Sequence, residues 1–173
     1  MPSLTYKEVY SRFFRRAEAY DLIFDNMSKK LRFDFLSDLI HMACSEPYVR
    51  RLFSSLVLTD EEYDEEIFDY DLGIDADYGT IEYEMNDVVD ETSDEEFVLD
   101  ILSYGMVAGW LRPKVNSLLN INQLIGTSDE KYYSQAQHLS ELRSLLEDVE
   151  IKQLKIIRDR GYISNPYVNN IGS

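Results

Sequence analysis

The chain has 173 residues, with 33 Asp and Glu against 17 Lys and Arg and a formal net charge of -16. That length is enough for one domain with its own core, and a hydrophobic content of 45% excludes a wholly disordered chain. The acidic balance excludes an ordinary nucleic-acid binder and a lipid-docking surface, since both need a positive footprint.

Thr5 and Glu8 have capping-box spacing. Behind them Val9, Phe13, Ala17, Tyr20 and Phe24 recur at helical intervals and predict a helix over 5–25. Asn26, Met27 and Ser28 break it, and Leu31, Phe35, Leu39 and Met42 predict a second helix over 29–44. Pro47 is tolerated in a first helical turn and opens a third over 46–58, with Tyr48, Leu52, Phe53 and Leu56 as its buried face. Thr59 to Glu62 looks like another cap, but the pattern dissolves into a Gly- and Asp-rich loop from Asp69 to Gly79. Thr80 to Met85 alternates with period two and reads as a short strand or an extended arm.

Ser93 and Glu96 form a capping box for a long helix over 93–119, with Phe97, Ile101, Tyr104, Ala108 and Leu111 on one face. Gly105 and Gly109 permit close packing on it, and Pro113 is expected to kink or end it. The last helix is predicted over 129–160. Leu139, Leu142, Leu146 and Val149 give it a coiled-coil spacing. Leu145, Leu154 and Ile157 widen that stripe, so more than one neighbour is expected against it. Gly161 is read as its stop. The predicted fold class is therefore all-α: a helical bundle with a long C-terminal helical hairpin, an irregular acidic insert and an extended C-terminal arm. One domain overall is divided into N-terminal helices at 1–59, the acidic insert at 60–92, the hairpin at 93–161 and the arm at 162–173.

Charge follows the same division. Between Asp60 and Asp100 there are 19 carboxylates and no Lys or Arg, while the rest of the chain is near neutral. Tyr63, Phe68, Tyr70, Tyr78 and Tyr83 give this insert something to bury. Confined like charges repel, so the insert is expected to meet a basic surface or bound cations, the Arg12 to Arg32 cluster of another copy being one candidate.

Catalytic chemistry is scarce. Cys44 is the lone cysteine, which excludes a disulfide framework and suits a reducing compartment. His41 and Cys44 sit beside an apolar stripe and read as a capped histidine and a packed thiol; His138 is expected to face solvent or a partner. Gly-rich phosphate loops, paired CxxC, HExxH and GxSxG are all missing. Asp71, Asp75, Asp77, Glu82 and Glu84 have the oxygens for a hard cation but not the spacing of a calcium loop. No enzymatic activity, cofactor or metal is expected. Met1 to Glu8 lacks the apolar run of a secretory signal. The most apolar stretch, Phe97 to Leu111, contains Asp100 and is too short to span a bilayer, so a soluble intracellular product is expected.

Partner contact is assigned to Arg12, Arg15 and Arg16 and to Tyr162, Ile163, Tyr167, Val168 and Ile171 of the uncharged tail. Pro166 prevents the tail from continuing the helix, and the tail is expected to lie on another subunit. The run Tyr132-Tyr133-Ser134-Gln135-Ala136-Gln137-His138-Leu139-Ser140-Glu141-Leu142-Arg143-Ser144-Leu145, continuing to Arg158-Asp159-Arg160-Gly161-Tyr162, resembles small virion proteins of tailed bacteriophages. The run from Gly105 to Pro113 adds to the resemblance. The resemblance implies a structural protein of the head–tail connector, neck or capsid-associated type. Its partners would be other copies and neighbouring portal, capsid or tail components, without specific nucleic-acid or membrane contact. Its location would be the virion, after assembly in the host cytoplasm. Two other classes stay open from the residues alone: a regulatory helical adaptor, and an acidic DNA mimic that inhibits a nucleic-acid-binding host protein. The basic cluster at Arg12 to Arg32 weighs against the mimic.

Overall fold

The computed structural model describes residues 1–19, 28–64, 79–124 and 130–163, with the side chains of all of these but 18–19, 118–124 and 130–136. In chain order the described elements are β1 (Ser3–Thr5), α1 (Tyr6–Ala19), α2 (Lys29–Ser45), α3 (Pro47–Arg50), β2 (Phe53–Asp60), β3 (Gly79–Met85), α4 (Glu91–Leu124) and α5 (Glu130–Ile163). The fold class is thus mixed, five helices with a three-stranded antiparallel sheet of order β1-β3-β2, and the all-α expectation is corrected.

The correction lies in the predicted third helix and in the insert. Only Pro47–Arg50 is helical; from Phe53 the chain is a strand. Leu52, Phe53 and Leu56 fit a helical stripe, but the β-branched Val57 and Thr59 suit a strand, and Ser54 and Ser55 add little to a helix. Pairing with β3 decides between them. Leu56 lies opposite Tyr83, Leu58 opposite Ile81 and Thr59 opposite Thr80. On the other edge of β3, Leu4 lies opposite Ile81. Ile81, Tyr83 and Met85 are buried while Glu82 and Glu84 point outward, the alternation of a sheet with one solvated face. The acidic insert is therefore the connection between β2 and β3 plus the central strand itself, and is irregular only in part; residues 65–78 lie outside the described residues.

Local signals set most element starts. Glu8 accepts from the Thr5 backbone N–H at 2.7 Å and Thr5 Oγ1 accepts from the Glu8 N–H at 3.3 Å, a complete capping box that also ends β1. Ser28 Oγ caps α2 by accepting from the Leu31 N–H at 3.3 Å. α4 begins at Glu91, earlier than expected, because Asp90 serves as its cap and accepts from the Ser93 N–H at 2.9 Å. Those hydrogen bonds hold the Asp90 carboxyl below its ordinary pKa.

α4 is the axis of the molecule. Val98, Ile101, Leu102, Met106, Val107, Ala108 and Leu111 are all fully buried, so it is apolar nearly all round, as a central helix must be. α1, α2 and α5 each pack on it. α4 runs through Pro113 to Leu124 instead of ending there. The missing backbone donor costs about 3 kcal/mol, and burial of Leu111 and Val115 on either side holds the helix together. A Cβ at Gly105 would lie 2.9 Å from Ala43 Cβ and 3.1 Å from Gln153 Nε2, so the missing side chain lets α2 and α5 close on α4 together. α5 runs antiparallel to α4, as Gln153 against Ile101 and Arg112 against Glu150 require, and it continues through Gly161 to Ile163.

Candidate interaction surface

Asp60, at the end of β2, gathers the most chemically able cluster among the described residues. Its Oδ1 accepts from the Tyr6 hydroxyl at 2.8 Å and lies 2.9 Å from His41 Nε2, with Oδ2 3.0 Å from the same nitrogen. Ser37 Oγ donates to Oδ1 at 3.4 Å. Serine and histidine therefore converge on one carboxylate, and the serine is not on the imidazole's far side, where a nucleophile would stand. Tyr6 is fully buried and, with Asp60 beside it, its hydroxyl pKa is raised, which keeps it a donor. The group fastens the sheet end to α1 and α2. Gly79 closes the same corner with φ 142, where a Cβ would stand 2.4 Å from the Thr59 carbonyl oxygen. Cys44 is buried in the core, which pushes its thiol up to about 12, so it stays a protonated, inert side chain at neutral pH.

The arginines expected to meet partners have separate fates. Arg12 donates to Asp100 at 2.8 Å and to Glu96 at 2.7 Å. Arg16 also pairs with Asp100, donates to Ser103 Oγ at 2.9 Å and lies 3.7 Å from the Tyr104 ring centroid. These two clamp α1 to α4 within one chain, and only Arg15 is exposed. The acidic segment is thereby partly neutralised by the chain itself, a third case being Arg160, which pairs in the interior with Asp94. Spacing alone gave no sign of these pairs, since each partner lies far along the sequence.

A second set of ties joins α5 to the body. Gln153 is fully buried; its Nε2 donates to the Ile101 carbonyl at 2.7 Å and its Oε1 accepts from the Tyr48 hydroxyl at 2.9 Å. Arg112 reaches Glu150 at 2.9 Å and also Glu46, tying the start of α3 to both long helices.

The outer face of α5 is different. Ile151 is 64% exposed and Leu154 48%, and Tyr162 follows on the same side at 57%; Ile163, also 57% exposed, lies on the opposite side from Leu154. Leu154 was expected to widen the buried stripe but turns away from α4 instead. Of the tail residues proposed for partner contact, Tyr162 and Ile163 are the exposed end of α5, while Tyr167, Val168 and Ile171 lie outside the described residues. His138 is exposed near Pro113, Lys114, Ser117 and Leu142. A groove of about 530 Å³ beside the sheet, lined by residues including Tyr83, Met85, Val88 and Glu91, carries no nucleophile with an adjacent base. No group of three His, Cys, Asp or Glu able to hold a metal occurs among the described residues, where Glu82 and Glu84 sit on the solvated sheet face; Asp71, Asp75 and Asp77 lie outside them. No helix among the described residues is long and apolar enough to cross a membrane.

Comparison with protein-family models, with curated proteins and with solved structures gives no match.

Proposed function

We propose that this chain is a non-enzymatic assembly protein acting through protein–protein contacts, and that its setting is the virion of a tailed bacteriophage, at the head–tail connector or neck. The exposed apolar face of α5 supports the first part. Ile151 and Leu154 are exposed one turn apart on a helix whose inner face packs on α4, and Tyr162 is exposed further along the same side, so a partner laid along α5 would bury all three. The use of Asp60, His41, Tyr6 and Ser37 in fastening the sheet corner supports a chain without catalysis. The resemblance of the 132–145 and 158–162 runs to small virion proteins supports the setting.

The test is to purify particles from infected cells that express the chain and to weigh its copies against the portal protein. Fixed stoichiometry in particles, and headless or tailless particles when the gene is removed, is the expected result. If the chain is missing from particles and is held instead by a DNA-processing enzyme from which duplex DNA displaces it, the virion reading fails and the acidic mimic replaces it.

A further inference from the structure

Resting on that assembly reading, we infer that the outer stripe of α5 is a homotypic interface: two copies pair their α5 helices antiparallel, Ile151 of each against Leu154 of the other. The stripe reads Ser144, Glu147, Ile151, Leu154, Arg158 and Gly161, spaced alternately three and four, and every one of these residues is exposed. This is the a/d spacing of a coiled-coil seam, on the side of α5 turned away from α4. Nothing in the packing of α5 on α4 calls for it.

The order of residues along the stripe selects the partner. In an antiparallel pair with a two-fold axis, setting Ile151 beside Leu154 also sets Glu147 beside Arg158 and Ser144 beside Gly161. The layers are then apolar against apolar, acid against base and small against small, each occurring twice by symmetry. On the flank, Asp148 of one copy comes near Lys155 of the other. Parallel pairing would instead face Glu147 with Glu147 and Arg158 with Arg158. Sliding the antiparallel pair by one heptad places Glu147 against Ile151, or Leu154 against Arg158. One register alone satisfies all the layers, and it is self-complementary, so a second copy fits where an arbitrary protein would not.

Gly161 gives an independent sign. A Cβ there would meet nothing within 4 Å, so among the described residues no lack of space for a side chain calls for a glycine in this helical position. Glycine in a helix costs about 0.5–1 kcal/mol relative to alanine. Opposite Ser144 of a second copy, the missing side chain lets the helices close. The stripe spans only about 26 Å, at the small end of specific interfaces, so the expected dimer is weak and forms at micromolar concentrations.

Charge reversal tests this with the full chain. Sedimentation equilibrium from low to high micromolar protein should show a monomer–dimer equilibrium that weakens as salt rises. Glu147→Arg or Arg158→Glu alone should weaken the dimer about tenfold or more, because each places like charges in contact. The double variant should restore it. Glu147 and Arg158 are three helical turns apart within one chain and cannot reach each other there, so rescue reports an intermolecular pair. Both positions are exposed, and unchanged circular dichroism verifies folding. A monomer at every concentration, a dimer indifferent to either reversal, or single losses without rescue would each overturn the inference. A monomer that is nevertheless found in particles removes the self-pairing and leaves the assembly reading standing; a dimer absent from particles does the reverse.

Discussion

Asp60 shows how one carboxylate can hold three elements together. Burial alone would raise its pKa, but hydrogen bonds from His41 and Tyr6 outweigh that and hold it below the usual 3.8. A carboxyl lowered in the folded state adds stability above its unfolded pKa and loses it as pH falls through the folded value. Because its side chain is 49% exposed, the screened contribution is about 0.5–1 kcal/mol. Asp60→Asn is therefore expected to cost about 1 kcal/mol at pH 7 and clearly less at about pH 3, where the carboxyl of the unfolded chain is already protonated. Urea midpoints at the two pH values measure this, and equal losses at both would rule out the charged latch. In the sequence His41 stands out only as a neighbour of Cys44. Asp60 lies 19 residues further on, and a pair formed only when a strand returns to a helix leaves no spacing signal.

At the scale of elements, the glycines of the two long helices make opposite predictions. Gly105→Ala forces a methyl group to 2.9 Å from Ala43 and is expected to destabilise by about 1–3 kcal/mol despite the gain in helix propensity. Gly161→Ala enters open space and should stabilise the monomer by about 0.5 kcal/mol, while weakening self-association by crowding the Ser144 layer. Thermal melts of dilute protein check both signs. Legibility of elements followed the range of the forces that set them. The Thr5–Glu8 cap and the two long helices are written locally, in hydrogen bonds and apolar periods a few residues long. β2 was hidden because Leu52, Phe53 and Leu56 satisfy a helical period, and its strand character depends on partners beyond residue 78. β1 is three residues, Ser-Leu-Thr, too short for any period to appear. On α5 the inner seam was legible and the outer one was not, because Leu154 fits both stripes and only the position of α4 assigns it.

For the whole molecule, a net charge of -16 sets a long-range repulsion against a handful of internal arginine ties. Arg12, Arg16, Arg112 and Arg160 are all partly or fully shielded by neighbours, so salt screens them less than it screens the exposed acids. Raising ionic strength from about 0.01 to 0.15 M shortens the screening length from about 30 to 8 Å and should therefore stabilise the fold, raising Tm by a few degrees. Scanning calorimetry across that range measures it. A falling Tm would mean that the arginine ties, and not the repulsion, dominate the balance.

The strand order β1-β3-β2 also has a consequence during synthesis. β3 lies between the other two strands, yet it is the last of them to be translated. When β1 and β2 leave the ribosome, each has unpaired backbone and an apolar side, and neither can pair through the sheet until Met85 has emerged. The rest of the core then waits for α4, whose buried residues extend to Val115. A nascent chain of this protein thus carries open strand edges until about half of it has emerged, the interval in which a chaperone would have most to protect.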